Sequence, residues 1–237
     1  MTLEILADAE HLAARAADFI AGVINEKPQT TVLVATGNTP MRTYAELERR
    51  VKAGELDCSS ATAVQLDEYL GLPEGDPRSL YGWMERAFVR PLGIQRVIRF
   101  DSALEPHSAC ARFDREVAGV DGIDLAILGL GPNGHLGFNE PPSGPDAPTR
   151  ALTLTPESLS SNAAYWGELE VPTRALTAGM STILSSRRVL LLVLGAHKRE
   201  VLARALLGPL TPDLPASYLR DTNLTVLADQ AAARGLT

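Results

Sequence analysis

The chain has 237 residues, 45% of them hydrophobic, and a formal net charge of −7. This length and apolar content suit a single globular domain, and we expect residues 1–237 to form one. The acidic balance argues against nucleic acid or an anionic membrane surface as a partner. Cys58 and Cys110 match no zinc, redox or disulfide spacing, and we expect neither a signal peptide nor a membrane span. Together these features favour a cytoplasmic protein.

Short aliphatic runs alternate with longer amphipathic segments along the chain, which is the pattern of β–α–β units. In chain order the pattern predicts a helix at 8–26, a strand at 30–35, a helix at 40–53, a strand at 61–66, helices at 79–89 and 107–117, strands at 124–130 and 189–194, a helix at 198–207 and a strand at 224–228. We therefore predict an α/β fold in a single domain. Its sheet is mainly parallel and Rossmann-like, with helices on both faces.

Polar or glycine-containing segments directly follow four of the predicted strands. They are residues 37–39, 67–68, 131–140 and 197–198. In open parallel sheets, ligands bind at the edge where the carboxyl ends of the strands meet. We therefore expect these four segments to converge on one pocket.

The segment from Thr36 through Gly37 and Asn38 to Thr39 leads from the first predicted strand into a helix. Pro40 suits the first helical position, and Thr39 suits the N-cap. Backbone N–H groups at the positive end of a helix bind phosphate well. Lys198, placed in the first turn of another predicted helix, favours the same interpretation because a cation there needs an anion nearby. The alternatives are an ordinary capped turn and a solvated surface lysine.

Two carboxylates, Asp67 and Glu68, stand at the end of a predicted buried strand. Burial raises the pKa of a carboxyl group and suits it to carry a proton. A capping or turn aspartate is the structural alternative. The loop 131–140 then brings His135 near Glu140, an arrangement typical of general acid–base catalysis. No metal-binding or nucleophile motif is present, and the loose G-x-G-x-x-G at 129–134 leads into no convincing helix, so we predict no cofactor.

Taken together, these segments resemble the glucosamine-6-phosphate deaminase (isomerase) family. The matching stretches follow the family's order: 35–40, 66–73, 129–141, 171–172 with 175–179, and 189–198. The wider group shares its fold with 6-phosphogluconolactonases, but the sequence from Phe138 to Pro141 resembles the deaminase branch. The Asn-Gly-His-Leu-Gly sequence at 133–137 and the segment 215–219 are most similar to the branch named galactosamine-6-phosphate isomerase.

The resemblance implies an enzyme that opens the ring of an amino-sugar 6-phosphate, moves a proton between C1 and C2, and releases ammonia without a cofactor. It implies that Asp67 carries this proton and that His135, with Glu140, opens the ring. It also implies a phosphate site made of Thr36, Gly37, Asn38, Thr39 and Lys198. We further expect Glu68 and Gly134 among the substrate-binding residues.

Two of the positions that depart from the family's pattern bear directly on the predicted site. Asn133 stands where the family has Asp. We expect Asn133 to take part in catalysis, and we expect the change to alter the activity of the enzyme. Ala164 stands where the family has a phosphate-binding Arg, and we expect Arg174 to replace it. Three functions stay open: an amino-sugar-phosphate deaminase acting on the gluco or galacto sugar, a 6-phosphogluconolactonase, and a weakly catalytic sugar-phosphate sensor. We expect a monomer or a small homo-oligomer.

Overall fold

The computed structural model describes residues 1–73, 75–163 and 165–236. Its strands are β1 (Thr2–Leu6), β2 (Thr31–Val34), β3 (Thr62–Gln65), β4 (Asp67–Tyr69), β5 (Arg96–Ile98), β6 (Leu125–Gly129), β7 (Arg150–Thr153), β8 (Arg174–Thr177), β9 (Arg188–Val193) and β10 (Leu224–Asp229). Its α-helices are α1 (Ala9–Glu26), α2 (Met41–Lys52), α3 (Leu80–Met84), α4 (Pro106–Ala118), α5 (Pro156–Ala163), α6 (Met180–Leu184) and α7 (Arg199–Leu207). None of the helices in these ranges is both long and apolar enough to cross a membrane.

Seven strands form one parallel sheet in the order β1-β10-β9-β6-β2-β3-β5. The chain winds outward in one direction from β2 and in the other direction from β6, so the strand order reverses between these two neighbours. In doubly wound sheets, the crevice at such a reversal is where ligands bind. The four strands followed by polar segments, β9, β6, β2 and β3, lie side by side around this crevice.

Helices cover both faces of the parallel sheet, which confirms the predicted fold class. On one face, α1 and α2 pack residues such as Ile20 and Leu47 against the sheet. On the other face, α4, α6 and α7 contribute residues such as Phe113, Ile183 and Leu202. Burying two apolar faces explains why the central strands read as continuous aliphatic runs instead of alternating ones.

Three strands form a second, antiparallel sheet in the order β4-β8-β7, which the sequence pattern did not predict. The chain leaves the main sheet after Gln65 and pairs Asp67 with Thr177. The Gln65 side chain holds this turn: its amide nitrogen donates to the Asp67 carbonyl, and its oxygen accepts the N–H of Phe100. The second sheet thereby holds Asp67 at the carboxyl edge of the first.

Two predicted elements differ in detail. The helix predicted at 79–89 is α3 followed by a π-helical segment, Glu85–Val89. Thr39 is not the N-cap of α2, because Pro40 occupies that position and the helix begins at Met41. The remaining predicted helices and strands lie within one or two residues of the observed ones.

Candidate active site

A cavity of about 760 Å³ opens at the carboxyl ends of β2, β3, β6 and β9. This volume lies within the range of small-molecule sites, about 300–1,000 Å³. Seven of the residues predicted from the sequence line it together: Thr36, Gly37, Asn38, Thr39, Asp67, His135 and Lys198. The expectation that the strand-end segments converge on one pocket is therefore confirmed for these residues.

The loop from Thr36 to Thr39 forms one wall of the cavity. Gly37 has a φ of +90°, a backbone conformation that favours glycine and turns the chain from β2 toward α2. A Cβ atom at Gly37 would lie 3.8 Å from the hydroxyl of Tyr165, which also lines the cavity. The Tyr165 side chain therefore lies next to this loop, and the loop leads into the N-terminus of α2.

Lys198 lines the cavity from the opposite side, at the N-cap of α7 and not inside the helix as predicted. Residues 196–198 form a 3₁₀ turn, which moves the helix start to Arg199. Burial lowers the pKa of the Lys198 ammonium group. Among the described residues no carboxylate pairs with this half-buried ammonium group, so it is well placed to bind an anionic group of a ligand.

Two arginines that the sequence interpretation missed, Arg78 and Arg86, also line the cavity. Arg78 is neutralised by a bidentate contact with Asp76 and stacks over the Trp166 ring at 5.0 Å. Arg86 donates instead to the neutral carbonyl oxygen of Pro77, at 2.8 Å. The charge of Arg86 is therefore the less compensated of the two.

Arg174 does not reach this cavity, so the expectation that it replaces the phosphate-binding arginine is wrong in its geometry. It begins β8 opposite Thr153, its side chain is exposed, and it lines a separate surface depression with Leu70 and Gly71. Ala164, the position matched to the family's arginine, lies outside the described residues.

Asp67 lines the cavity although its side chain is almost completely buried. Burial raises the pKa of its carboxyl group to about 8, and the neighbouring Glu68 carboxylate contributes in the same direction. A carboxyl group that exchanges its proton near neutral pH can both accept and return one. The local chemistry therefore fits the predicted proton carrier.

Glu68 is a structural anchor and does not line the cavity, contrary to the expectation of substrate contact. Its carboxylate accepts the backbone N–H groups of Tyr69, Leu80 and Tyr81, as well as the Gln65 amide, at 2.8–2.9 Å. Strand alternation explains the difference, because neighbouring side chains of β4 point to opposite sides. Glu68 holds the N-terminus of α3 beside the cavity.

The loop after β6 is compact because its glycines allow close contacts. A Cβ atom at Gly131 would lie 2.2 Å from the His135 ring, and one at Gly137 would lie 3.4 Å from Asp67 Oδ2. The loop therefore presses His135 against its own backbone and approaches Asp67 directly. Gly134 does not line the cavity. A Cβ atom there would lie 2.3 Å from Leu214, so a glycine is needed for packing at this turn and not for ligand contact.

Glu140 lies buried behind His135 and does not itself line the cavity. Its Oε2 atom is 3.4 Å from His135 Nδ1, and its Oε1 atom accepts the hydroxyl hydrogen of Ser158. Burial by itself raises the pKa of Glu140, but the contacts with His135 and Asn133 outweigh burial and leave this pKa below its ordinary value. Glu140 is thus ionised and faces the inner nitrogen of the histidine.

Asn133 joins the histidine and the carboxylate without lining the cavity. Its amide nitrogen donates to Glu140 Oε2 at 2.9 Å, and its oxygen accepts the backbone N–H of His135 at 3.2 Å. The backbone N–H can only donate, which fixes the orientation of the amide. Asn133 is therefore a positioning group of the dyad formed by His135 and Glu140.

A family model described as glucosamine-6-phosphate isomerases/6-phosphogluconolactonase matches residues 7–228, which is most of the chain. The chain belongs to this family. The resemblance inferred from the sequence motifs is thereby confirmed. Within the described residues, no group of three or more His, Cys, Asp or Glu side chains is arranged to hold a metal ion.

Relatives within the family span nearly the whole chain. Glucosamine-6-phosphate deaminase of Rhodopirellula baltica is 41% identical over 98% of this chain and 94% of that protein. The deaminase of Cutibacterium acnes is 38% identical over 100% of this chain and 93% of that protein. A solved structure of a monomeric glucosamine-6-phosphate deaminase matches with a TM-score of 0.94 and 36% identity, over 98% of this chain and 99% of that one.

The lactonase members of the family are more distant. A 6-phosphogluconolactonase from Leishmania guyanensis matches with a TM-score of 0.80 and 20% identity, over 100% of this chain and 98% of that one. At this identity the likeness shows the shared fold alone. The fold is therefore common to both activities, and the side chains of the cavity must distinguish them.

Proposed function

We propose that this protein converts glucosamine 6-phosphate and water into fructose 6-phosphate and ammonia. The observation that carries the proposal is Asp67, a buried carboxyl group that faces the cavity and has a pKa of about 8. Moving a proton between two neighbouring carbons needs a single group that takes it and gives it back. The names of the relatives and of the similar solved structure support the same reaction.

The first proposed step is the opening of the sugar ring by His135. Its imidazole accepts the proton of the C1 hydroxyl group and delivers a proton to the ring oxygen, so the C1–O5 bond breaks and an aldehyde forms. Glu140 lies 3.4 Å from Nδ1 and is ionised, so it can orient the imidazole ring. Asn133 fixes Glu140 in place.

The second proposed step is proton transfer by Asp67. The ionised carboxylate removes the proton from C2 while the C1 oxygen takes one from the C2 ammonium group, giving an enolamine. The carboxyl group then returns its proton to C1, giving a protonated imine at C2. Water adds to this imine carbon and ammonia leaves, so the atoms balance as fructose 6-phosphate. The approach of the histidine loop to Asp67 at Gly137 brings both groups to the same end of an open-chain sugar.

The proposed phosphate site is the loop from Thr36 to Thr39 together with Lys198 and Arg86. The loop offers backbone N–H groups at the start of α2, and the two cations line the same cavity. We also propose a cytosolic location, since Cys58 and Cys110 are free and buried. A monomer is the proposed state because the similar solved deaminase is monomeric.

The decisive experiment measures ammonia and ketohexose 6-phosphate with glucosamine 6-phosphate and galactosamine 6-phosphate and, side by side, the acid released by hydrolysis of 6-phosphogluconolactone. We expect turnover of glucosamine 6-phosphate at the highest kcat/KM. Turnover of the lactone alone would show that the protein is a lactonase, an activity that needs no group to carry a carbon-bound proton. Binding of the sugar phosphates without turnover would replace it with a sensor.

A further inference from the structure

We infer that Ser158 is a positioning residue for the proposed reaction, because its buried hydroxyl group reaches from helix α5 to Glu140 and fixes the carboxylate that faces His135. This inference rests on the proposed function for its kinetic consequences. The contact itself belongs to the described geometry: Ser158 Oγ donates to Glu140 Oε1. It joins two segments that are 18 residues apart in the sequence.

The carboxylate of Glu140 divides its two oxygens between different tasks. Oε2 receives the Asn133 amide and faces His135 Nδ1. Oε1 is held by Ser158, and the Thr155 side chain also bonds the carboxylate, so these hydroxyl groups limit the rotation of the carboxylate about its own axis. His135 Nδ1 is buried and has no hydrogen-bond partner among the described residues, but Oε2 lies within ion-pair range of it at 3.4 Å. A rotation of Glu140 would therefore leave the histidine without an orienting partner.

Among the described residues, the Ser158 hydroxyl group donates to Glu140 and to no other acceptor. In a helix, a serine hydroxyl commonly donates to the carbonyl group four residues earlier. Ser158 instead directs its hydroxyl outward from the helix, while its backbone N–H is satisfied by Thr155 Oγ1 at 3.2 Å. Its side chain is fully buried, so no water competes for the donor. The hydroxyl group therefore keeps its hydrogen bond to Glu140.

Helix α5 also reaches the opposite end of the cavity. Ser161 and Asn162 on this helix line it, and Tyr165 just beyond lies near Gly37 of the proposed phosphate loop. Tyr165 packs edge-on against Trp83 at 5.1 Å. One short helix therefore contacts Glu140 through Ser158 and also borders the proposed phosphate site.

The test compares Ser158→Ala with Ser160→Ala, which makes the same change at an exposed position of the same helix. For Ser158→Ala we expect kcat to fall about 10- to 100-fold, the cost of a misplaced catalytic group, with KM within about twofold of the native value. The loss of a donor to the ionised carboxylate raises the pKa of Glu140, so the acid limb of kcat moves to higher pH. Ser160→Ala is expected to change neither quantity.

A second readout separates this inference from the proposed function. In protein with ¹³C-labelled glutamate, the Glu140 carboxyl resonance is titrated without any substrate. Its midpoint is expected to rise in Ser158→Ala and to stay native in Ser160→Ala, whether or not ammonia is released. Ser158→Cys keeps the bulk of the side chain but donates weakly, so it gives the same direction if the alanine variant fails to fold. A native midpoint and native kcat in folded Ser158→Ala or Ser158→Cys would overturn the inference.

Discussion

The amide nitrogen of Asn133 lies 2.9 Å from Glu140 Oε2 and donates a hydrogen bond to it. An aspartate at this position, which the family's pattern favours, has no hydrogen to donate. We therefore expect Asn133→Asp to place two carboxylates against each other, raise the pKa of Glu140, and lower kcat roughly tenfold at neutral pH. Steady-state kinetics from pH 5 to 9 measure this effect. A variant more active than the native protein would show that the amide is not matched to Glu140.

The raised pKa of Asp67 predicts a pH-dependent stability. The folded protein keeps this proton up to about pH 8, whereas the unfolded chain loses it near the ordinary value of 3.8. Stability from this group is therefore complete below about pH 4 and is lost as the pH rises toward 8. We expect Asp67→Asn to raise the melting temperature by about 4 °C or more at pH 8 and to change it little at pH 4.

Asp213→Asn is the control for this measurement, because it makes the same change at an exposed position. It is expected to show no such divergence between the two pH values. Equal effects of Asp67→Asn at pH 4 and pH 8 would contradict the burial of a titrating group at this site.

The phosphate site predicts different effects for two arginines. Arg86 lines the cavity and donates only to a neutral carbonyl group among the described residues, whereas Arg174 lines a different depression. We expect Arg86→Ala to raise KM for the sugar phosphate about tenfold, since a charged hydrogen bond to phosphate is lost. Arg174→Ala should leave KM unchanged. The reverse result would mean that the phosphate binds outside this cavity.

The close contact between Gly131 and His135 predicts that the loop tolerates no larger residue there. A Cβ atom in Gly131→Ala would lie 2.2 Å from the imidazole ring, so the ring must move. We expect kcat to fall about 100-fold, the cost of a displacement of about 1 Å. Gly144→Ala is the control, because a Cβ atom there meets no atom within 4 Å. Native kcat in Gly131→Ala would place the reactive histidine elsewhere.

Much of the parallel sheet was predictable because buried strands are short aliphatic runs, and the polar segments after them mark the carboxyl edge. The antiparallel sheet was not, since β7 and β8 are the same four-residue sequence, Arg-Ala-Leu-Thr, and carry too little pattern. Asp67 and Glu68 both stand in β4 of that sheet, and their different roles follow from this position. The short strand β4 turns one carboxylate toward the cavity and the other toward the N-terminus of α3.

Contacts between distant segments account for the other differences. Arg86 stands in the π-helical segment, and its position beside the cavity depends on how that segment packs near α2. Ser158 lies 18 residues from Glu140, and no sequence spacing links a serine to a carboxylate at that separation. Arg174, by contrast, was predicted because it is near the expected position in sequence. Nearness in sequence does not determine the side of the sheet on which a side chain lies.

Asp67 carries the proton in the proposed deamination of an amino-sugar phosphate. The most direct measurement is ammonia release from glucosamine 6-phosphate by the native protein and by Asp67→Asn, with substrate binding measured in parallel by calorimetry. We expect turnover by the native protein, a loss in kcat of about 10²- to 10⁴-fold in the variant, and a dissociation constant that changes little. Deamination by Asp67→Asn at the native rate would contradict this role of Asp67.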